Sequence, residues 1–330
     1  MRAGVWTAIG IVIAAGTALP AQGPKNSHLN PMIGLHAQRK PLFGLYAPAN
    51  RGAGRRGAGG DASAPAPAPP PQKTPAELVK DALAYDKSDF LFAGSMEGGV
   101  DRGIGPFTDF VNALADAATP AVRWQHPLSV KTPKIADDPA KAIDNISRQL
   151  NLGVSTIVFV GVESANEVTQ GLAAMRFKAN GGTRPDEVGG APKYWGLSEQ
   201  DYREKADVWP LNPKGELTNW TIVESREGLA HVREIAAVKG ISVLFPGAGT
   251  LRQVFTTADA DGKRTFDAEG WEKAIQQVLA ACKEFGVPCG YPATENDIET
   301  RIQQGFSVFI MNWGDPGFRA VDIGRRVTGR

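Results

Sequence analysis

The sequence predicts an α/β fold: a closed parallel (β/α)8 barrel. Three observations point there. Short apolar runs of strand length alternate with helix-period segments along the chain. Counted from Leu42–Tyr46, that alternation supplies eight strand candidates. The stretch from about Thr74 onward, within 330 residues in all, has the length of one such barrel. The alternative architecture is an open doubly wound sheet. The chain lacks the Gly-rich turn and following acidic residue that would bring a nucleotide to such a sheet.

The elements follow in order. Residues 1–21 predict an export signal: Arg2, an apolar run from Val5 to Leu19, then Ala18-Leu19-Pro20-Ala21 as a small-residue cleavage site. The run is short for a bilayer span, and an uncleaved N-terminal anchor is the competing reading. Residues 22–50 carry the first strand, within Pro41-Leu42-Phe43-Gly44-Leu45-Tyr46. Residues 51–73 are a Gly/Ala/Pro low-complexity insertion with too little apolar surface to order itself. Such an insertion adds little loop-closure entropy, so residues 74–330 complete the same domain.

A helix is expected from Pro75 to Ala84, then a strand from Phe90 to Ala93 that leads into Met96-Glu97-Gly98-Gly99. Helix Pro106–Ala118 places Phe107, Phe110, Val111 and Leu114 on one face. Ala121-Val122-Arg123-Trp124 is the expected third strand, with Gln125-His126-Pro127 after it. Helix Ala140–Leu150, strand Thr156–Val162 and helix Glu163–Met175 follow. A Trp/Tyr-rich stretch from Phe177 to Asn219 breaks the rhythm, either as a lid over a ligand or as a packed surface loop. Strand Trp220–Val223, helix Glu227–Val238 and strand Ile241–Phe245 restore it. Helix Asp267–Phe285, strand Pro288–Tyr291, helix Glu295–Gln304 and strand Phe306–Met311 close the series.

Composition excludes some functions. A net charge of +1 gives no field that would draw nucleic acid or acidic lipid. The cysteines are Cys282, on a helix, and Cys289, on the next strand. An oxidising compartment would permit a bridge. A helix and strand in one α/β layer diverge, so two packed thiols are expected. No Cys/His cluster has zinc spacing.

Chemistry in a parallel barrel gathers at the C-terminal ends of the strands. Glu224 ends one strand, and its carboxylate can hold a divalent metal, move a proton or form a structural salt bridge to Arg226 or Arg123. Arg123, in an otherwise apolar run, is placed to fork onto a carboxylate ligand or to close the mouth through Glu97 or Glu224. His126 is a candidate general base, against the plainer reading of an exposed loop histidine before proline. Gly247 and Ala248 offer backbone N–H groups to an anion, or form a plain tight turn. Glu97, before Gly98-Gly99, is a weaker metal candidate.

These strings together resemble the HpcH/HpaI aldolases, the metal-dependent 2-oxo-acid aldolases related to citrate lyase β-type enzymes. The most specific portion runs from Ile222-Val223-Glu224-Ser225-Arg226-Glu227 through Glu234–Ile241 to Phe245-Pro246-Gly247. Asp89–Phe92 leading into Met96-Glu97, Ala121-Val122-Arg123, and Gly286-Val287-Pro288 support it. The resemblance implies a TIM-type barrel of the phosphoenolpyruvate/pyruvate-binding kind, assembled as a homo-oligomer. It implies Mg²⁺ or Mn²⁺ as a Lewis acid, and reversible aldol cleavage that releases pyruvate or a similar acid from a 4-hydroxy-2-oxo acid. By position, Glu224 matches a metal-binding Glu, Arg123 the Arg that grips the keto acid, and Gly247 and Ala248 the carboxylate-holding loop. The departures are specific. Gly98 stands at the family's His and Ser95 at an Asp, while Thr250 stands at the second metal-binding Asp. An exported, non-catalytic barrel that binds a small carboxylic acid is therefore the second functional expectation.

Overall fold

The computed structural model describes residues 28–50 and 71–330. The expected export signal and most of the low-complexity insertion lie outside the described residues. Eight parallel strands form one sheet: β1 Leu42–Tyr46, β2 Leu91–Ala93, β3 Leu128–Thr132, β4 Thr156–Phe159, β5 Thr218–Val223, β6 Val243–Pro246, β9 Gly290–Pro292 and β10 Val308–Met311. A two-stranded hairpin, β7 Thr256–Ala258 and β8 Arg264–Phe266, projects from the segment after β6. The sheet order β6-β5-β4-β3-β2-β1-β10-β9 curls on itself: Leu244 pairs with Cys289, and the Leu244 N–H donates to the Pro288 carbonyl at 3.0 Å. The barrel expected from the alternation is thus present.

Period-two alternation explains how the barrel fills. Leu42, Phe90, Phe92, Val158, Trp220, Ile222, Val243, Phe245, Val308 and Ile310 point inward and pack as one apolar cluster. Trp220 is fully buried, with its ring 4.8 Å from Phe90 and 5.5 Å from Phe245. Burying a side chain of that kind stabilises by about 3 kcal/mol. The remaining strand positions face the surrounding helices in a second, larger cluster.

The N-terminal end of the barrel is plugged. Helix Pro31–Ala37 begins at Asn30, whose side chain accepts from the Met32 N–H, and it inserts Met32 into the interior cluster. The buried Glu216 carboxylate fixes this helix by accepting from the Leu29 and Asn30 N–H groups, both at 3.0 Å.

Two expectations are corrected, on the third strand and on the cysteines, and one of the two readings of the Trp/Tyr-rich stretch is selected. Ala121–Trp124 is not a strand. Pro120 occupies the first turn of a short helix, Pro120–Arg123, and Arg123 N–H donates back to Thr119 at 2.9 Å. The third strand comes later, at Leu128–Thr132. The Trp/Tyr-rich stretch is no lid over the strand ends. Its helices Ala191–Trp195 and Glu199–Lys205 pack at the plugged end, where Trp195 Nε1 donates to the Gly153 carbonyl at 2.8 Å. Cys282 and Cys289 are joined in a disulfide, not packed as thiols. The helix Ala268–Phe285 ends at Gly286 in a left-handed turn (φ 68°), which reverses the chain and brings the two Cα atoms to 5.6 Å.

Candidate functional site at the C-terminal mouth of the barrel

The strands that fill the interior with apolar side chains change character at their last inward position. On β5 the inward series Trp220, Ile222 continues to Glu224. On β3, Leu128 and Val130 face the helices, so Ser129 and Lys131 face inward. β2 continues through Gly94 into a turn closed by the Glu97 N–H on the Gly94 carbonyl at 3.2 Å. Lys131, Glu97 and Glu224 thus meet at one end of an otherwise apolar barrel.

Lys131 Nζ lies 2.9 Å from Glu97 Oε2. The lysine side chain is only 15% exposed, the glutamate 39%. Glu224 is buried. Its Oε1 accepts the Gly161 N–H at 2.9 Å, and its carboxylate is hydrogen-bonded by the Thr250 side chain. Gly161 holds a left-handed conformation (φ 59°) that aims this N–H at the carboxylate. Burial pushes the Glu224 carboxyl above its ordinary range, and the Glu97 charge adds to this. Thr250, Lys131 and Gly161 oppose it without cancelling it. At the rim, Lys134 pairs with Glu163 at 2.6 Å, which holds Glu163 below the usual carboxylate range.

Of the two expected backbone donors, the Gly247 N–H is already used, whereas Ala248 opens the first turn of helix Ala248–Val254, whose N–H groups no side chain caps. The Gly247 N–H already donates to the Val223 carbonyl at 2.9 Å, and the Ala248 carbonyl accepts from Trp271 Nε1 at 2.9 Å. Gly247 serves Glu224 instead. A Cβ there would lie 2.4 Å from both Cβ and Oε2 of Glu224, so any side chain would displace the carboxylate.

Arg123 and His126 are elsewhere. Both precede β3, at the plugged end, opposite to Glu224. Arg123 is buried over the Tyr194 ring, 4.9 Å from guanidinium carbon to centroid. Its Nη1 and Nη2 donate to the Ala115 and Lys193 carbonyls at 3.1 and 3.2 Å. Burial lowers the pKa of Arg123 and also that of His126, whose buried Nδ1 has no partner among the described residues. The expected pairing of Arg123 with Glu224 across the mouth is therefore not formed, because the segment that carries Arg123 is a helix before the strand and not the strand's end.

The residue missed in the sequence is Lys131. Its signal was a lone lysine at an inward position of Leu128-Ser129-Val130-Lys131-Thr132, three residues before a second lysine, Lys134.

The donor set does not fit a hard divalent cation. Such an ion wants six or more oxygens, with carboxylates prominent among them. Glu97 is neutralised by Lys131, Thr250 offers a hydroxyl, and Glu224 is the one acid left. Its oxygens are engaged by Gly161 and Thr250, and its burial favours the protonated form. The Lys131 ammonium adds a repelling charge in the same space. No group of three or more His, Cys, Asp or Glu side chains gathers among the described residues.

Comparison with known proteins gives a consistent picture. Residues 127–314, more than half the chain, match the family described as HpcH/HpaI aldolase/citrate lyase. The match begins after Arg123 and His126 and includes Lys131 and Glu224. A hydroxypyruvate/pyruvate aldolase of Delftia acidovorans is 29% identical over 142 residues, which cover 43% of this chain and 49% of that protein. A 5-keto-4-deoxy-D-glucarate aldolase of Salmonella gallinarum is 26% identical over 187 residues, 53% of this chain and 63% of that protein. The chain thus spans about half to two thirds of the length of the curated relatives it matches. The crystal structure of a HpcH/HpaI aldolase/citrate lyase family protein from Burkholderia cenocepacia superposes with a TM-score of 0.62. It has 19% identity and covers 91% of this chain and 98% of its own.

Proposed function

Because the chain belongs to the HpcH/HpaI aldolase/citrate lyase family, we propose that it is a carbon–carbon lyase of the aldolase type. Its substrate class is a 2-oxo acid, such as a 4-hydroxy-2-oxo acid, and its product is pyruvate or a similar enolisable acid. The observation that carries this reading is the convergence of Lys131 and Glu224 at the C-terminal mouth of a barrel that is apolar below them and plugged at its other end. The family is generally divalent-metal dependent. Since the residues here do not fit such an ion, no step is assigned to one.

The chemistry asked of the site is limited. In the retro-aldol direction a proton leaves the C4 hydroxyl and the C3–C4 bond breaks. The electron pair passes to the C2 oxygen as an enolate, and C3 then takes a proton. A fixed positive charge facing the enolate oxygen in a partly dry site lowers this barrier, and Lys131 is that charge. A carboxyl with a raised pKa exchanges protons nearer neutrality than an ordinary one, and Glu224 is that group. The apolar layer of Phe92, Ile222 and Phe245 beneath excludes water from the reacting carbons.

A second reading has its own support. Gly98, Ser95 and Thr250 replace the base and carboxylates that the resemblance leads one to expect, which suits a barrel that binds a small carboxylic acid without turning it over. One assay separates the two. A panel of 4-hydroxy-2-oxo acids is incubated with the full chain, and pyruvate release is followed. Turnover that disappears in Glu224→Gln and Lys131→Met supports the lyase. Absence of turnover with every substrate, alongside saturable pyruvate binding, replaces it with the binding protein. The Cys282–Cys289 disulfide supports the proposal that the protein works outside the reducing cytosol.

A further inference from the structure

We infer that Lys131 is a built-in cation that anchors the substrate's anionic head without any divalent metal, and that Glu97 occupies this anchor in the free protein as an internal stand-in for the substrate's carboxylate. This rests on the 2-oxo-acid reading above and extends it to how the acid is held.

Three observations carry it. First, the lysine is the buried member of its pair and the glutamate the exposed one. The chain has set an ammonium at the inner wall of the mouth and has covered it from the solvent side with a carboxylate. Second, the pair is of a kind that forms and breaks easily. Glu97 sits in a turn, and an ion pair with one member this exposed is held only weakly. An incoming carboxylate that also packs its carbon chain against the apolar layer competes on better terms. Third, the lysine is positioned by its surroundings. Its stem passes Gly94 alongside the Tyr46 ring: a Cβ at Gly94 would stand in ordinary contact with both, 3.6 Å from the ring and 3.8 Å from Lys131 Cδ.

Exchange of partners accounts for the whole donor set. In the free protein the ammonium is matched by Glu97. With ligand bound it is matched by the ligand's carboxylate, and Glu97 returns to solvent, where an ionised glutamate is at little cost. The net charge at the inner wall stays balanced in both states. A divalent ion would upset that balance, because it would have to bind beside an ammonium.

The two roles open to Glu97 predict opposite outcomes. As a metal ligand, its removal weakens binding. As a competitor for Lys131, its removal strengthens it. The test is titration calorimetry of the full chain with oxalate and with pyruvate, after EDTA treatment and dialysis, and again with Mg²⁺ or Mn²⁺ added. The expected result is oxalate binding that is the same in chelated and metal-supplemented protein. Glu97→Gln should tighten it by about threefold or more, and Lys131→Met should weaken it by about tenfold or more. Lys131→Arg, which keeps the charge, should retain most of it. Oxalate binding that requires Mg²⁺ or Mn²⁺, or that weakens in Glu97→Gln, overturns the inference and leaves the 2-oxo-acid reading standing. No binding of either acid to wild type or Glu97→Gln, under any condition, sinks both. Glu97 is partly exposed, so its variant keeps the test valid even if a lysine replacement fails to fold.

Discussion

At the plugged end of the barrel a guanidinium is buried against a tyrosine ring and two backbone carbonyls, while at the open end an ammonium lies against a carboxylate that is itself open to solvent. Both are cations set near the strands of one sheet. They differ in what satisfies them. Arg123 donates to carbonyls that cannot leave, so its bonds are part of the architecture. Lys131 is matched by a partly exposed side chain, the partner that the inference above lets a ligand replace. The same contrast holds for the acids. Glu216 at the plugged end is consumed by two backbone N–H groups that fasten the N-terminal helix. Glu224 at the open end is kept from easy ionisation by burial, with a hydroxyl and one backbone N–H as partners. A buried charge is a candidate for chemistry when its partners are exchangeable, and for stability when they are not.

The largest effect should separate the ends most clearly. Glu224→Gln preserves shape and hydrogen bonding but removes the proton exchange. Turnover of the best 4-hydroxy-2-oxo acid should fall by about 10² to 10⁴, the range for loss of a positioned proton carrier. Unfolding by urea should show the variant no less stable than wild type. A variant that keeps its turnover would remove Glu224 from the chemistry and turn the comparison into one between two structural ends.

The reverse experiment acts at the plugged end. Arg123→Met leaves the Ala115 and Lys193 carbonyls without their donors and the Tyr194 ring without its cation. It should cost about 2–4 kcal/mol of unfolding free energy. The affinity of the folded variant for oxalate should not change. A weakened oxalate affinity at unchanged stability would restore Arg123 as an anion anchor and would contradict its position.

Why Lys131 was hidden and Arg123 prominent has a physical explanation. Apolar residues around Arg123 imitate a strand, but Pro120 supplies the fixed φ of a first helical turn, and local hydrogen bonds to Thr119 and Pro120 then take the segment. In Leu128–Thr132 the inward positions Ser129 and Lys131 are polar, so the alternation looks like a solvated face. Polarity there belongs to the site, and the period is right with its sides reversed in meaning. Glu224 was legible because Trp220-Thr221-Ile222-Val223 leads straight into it and a carboxylate ends the apolar inward series of Trp220 and Ile222. The barrel was legible for the same reason: eight separate runs each carried their own evidence of burial, and one misplaced strand did not change the count. The disulfide escaped because the short return from helix to strand depends on the left-handed turn at Gly286, a single backbone angle that brings two diverging elements together. At the loop Gly247–Ala248 the sequence offers two backbone donors, and the Val223 carbonyl across the sheet takes the Gly247 N–H, which is a matter of register.

The smallest effect is also the most direct test of the charge on Glu224. Its folded pKa is raised above the ordinary value of 4.5, with burial as the main cause. Between those two values the folded protein keeps a proton that the unfolded chain has released. Stability from this group is therefore fully present below the unfolded pKa and is lost as pH rises through the folded one. Glu224→Gln has no such loss. Urea unfolding of wild type and variant, compared from pH 4 to about pH 7, should show the variant gaining on wild type as pH rises. Other buried groups whose pKa is shifted, such as Glu216 and His126, titrate in both proteins and cancel in the difference. A difference that stays flat, or that favours wild type as pH rises, would mean that Lys131 and Thr250 stabilise the ionised carboxylate more than burial penalises it. The mouth would then hold a ready anion, which is what a divalent cation requires.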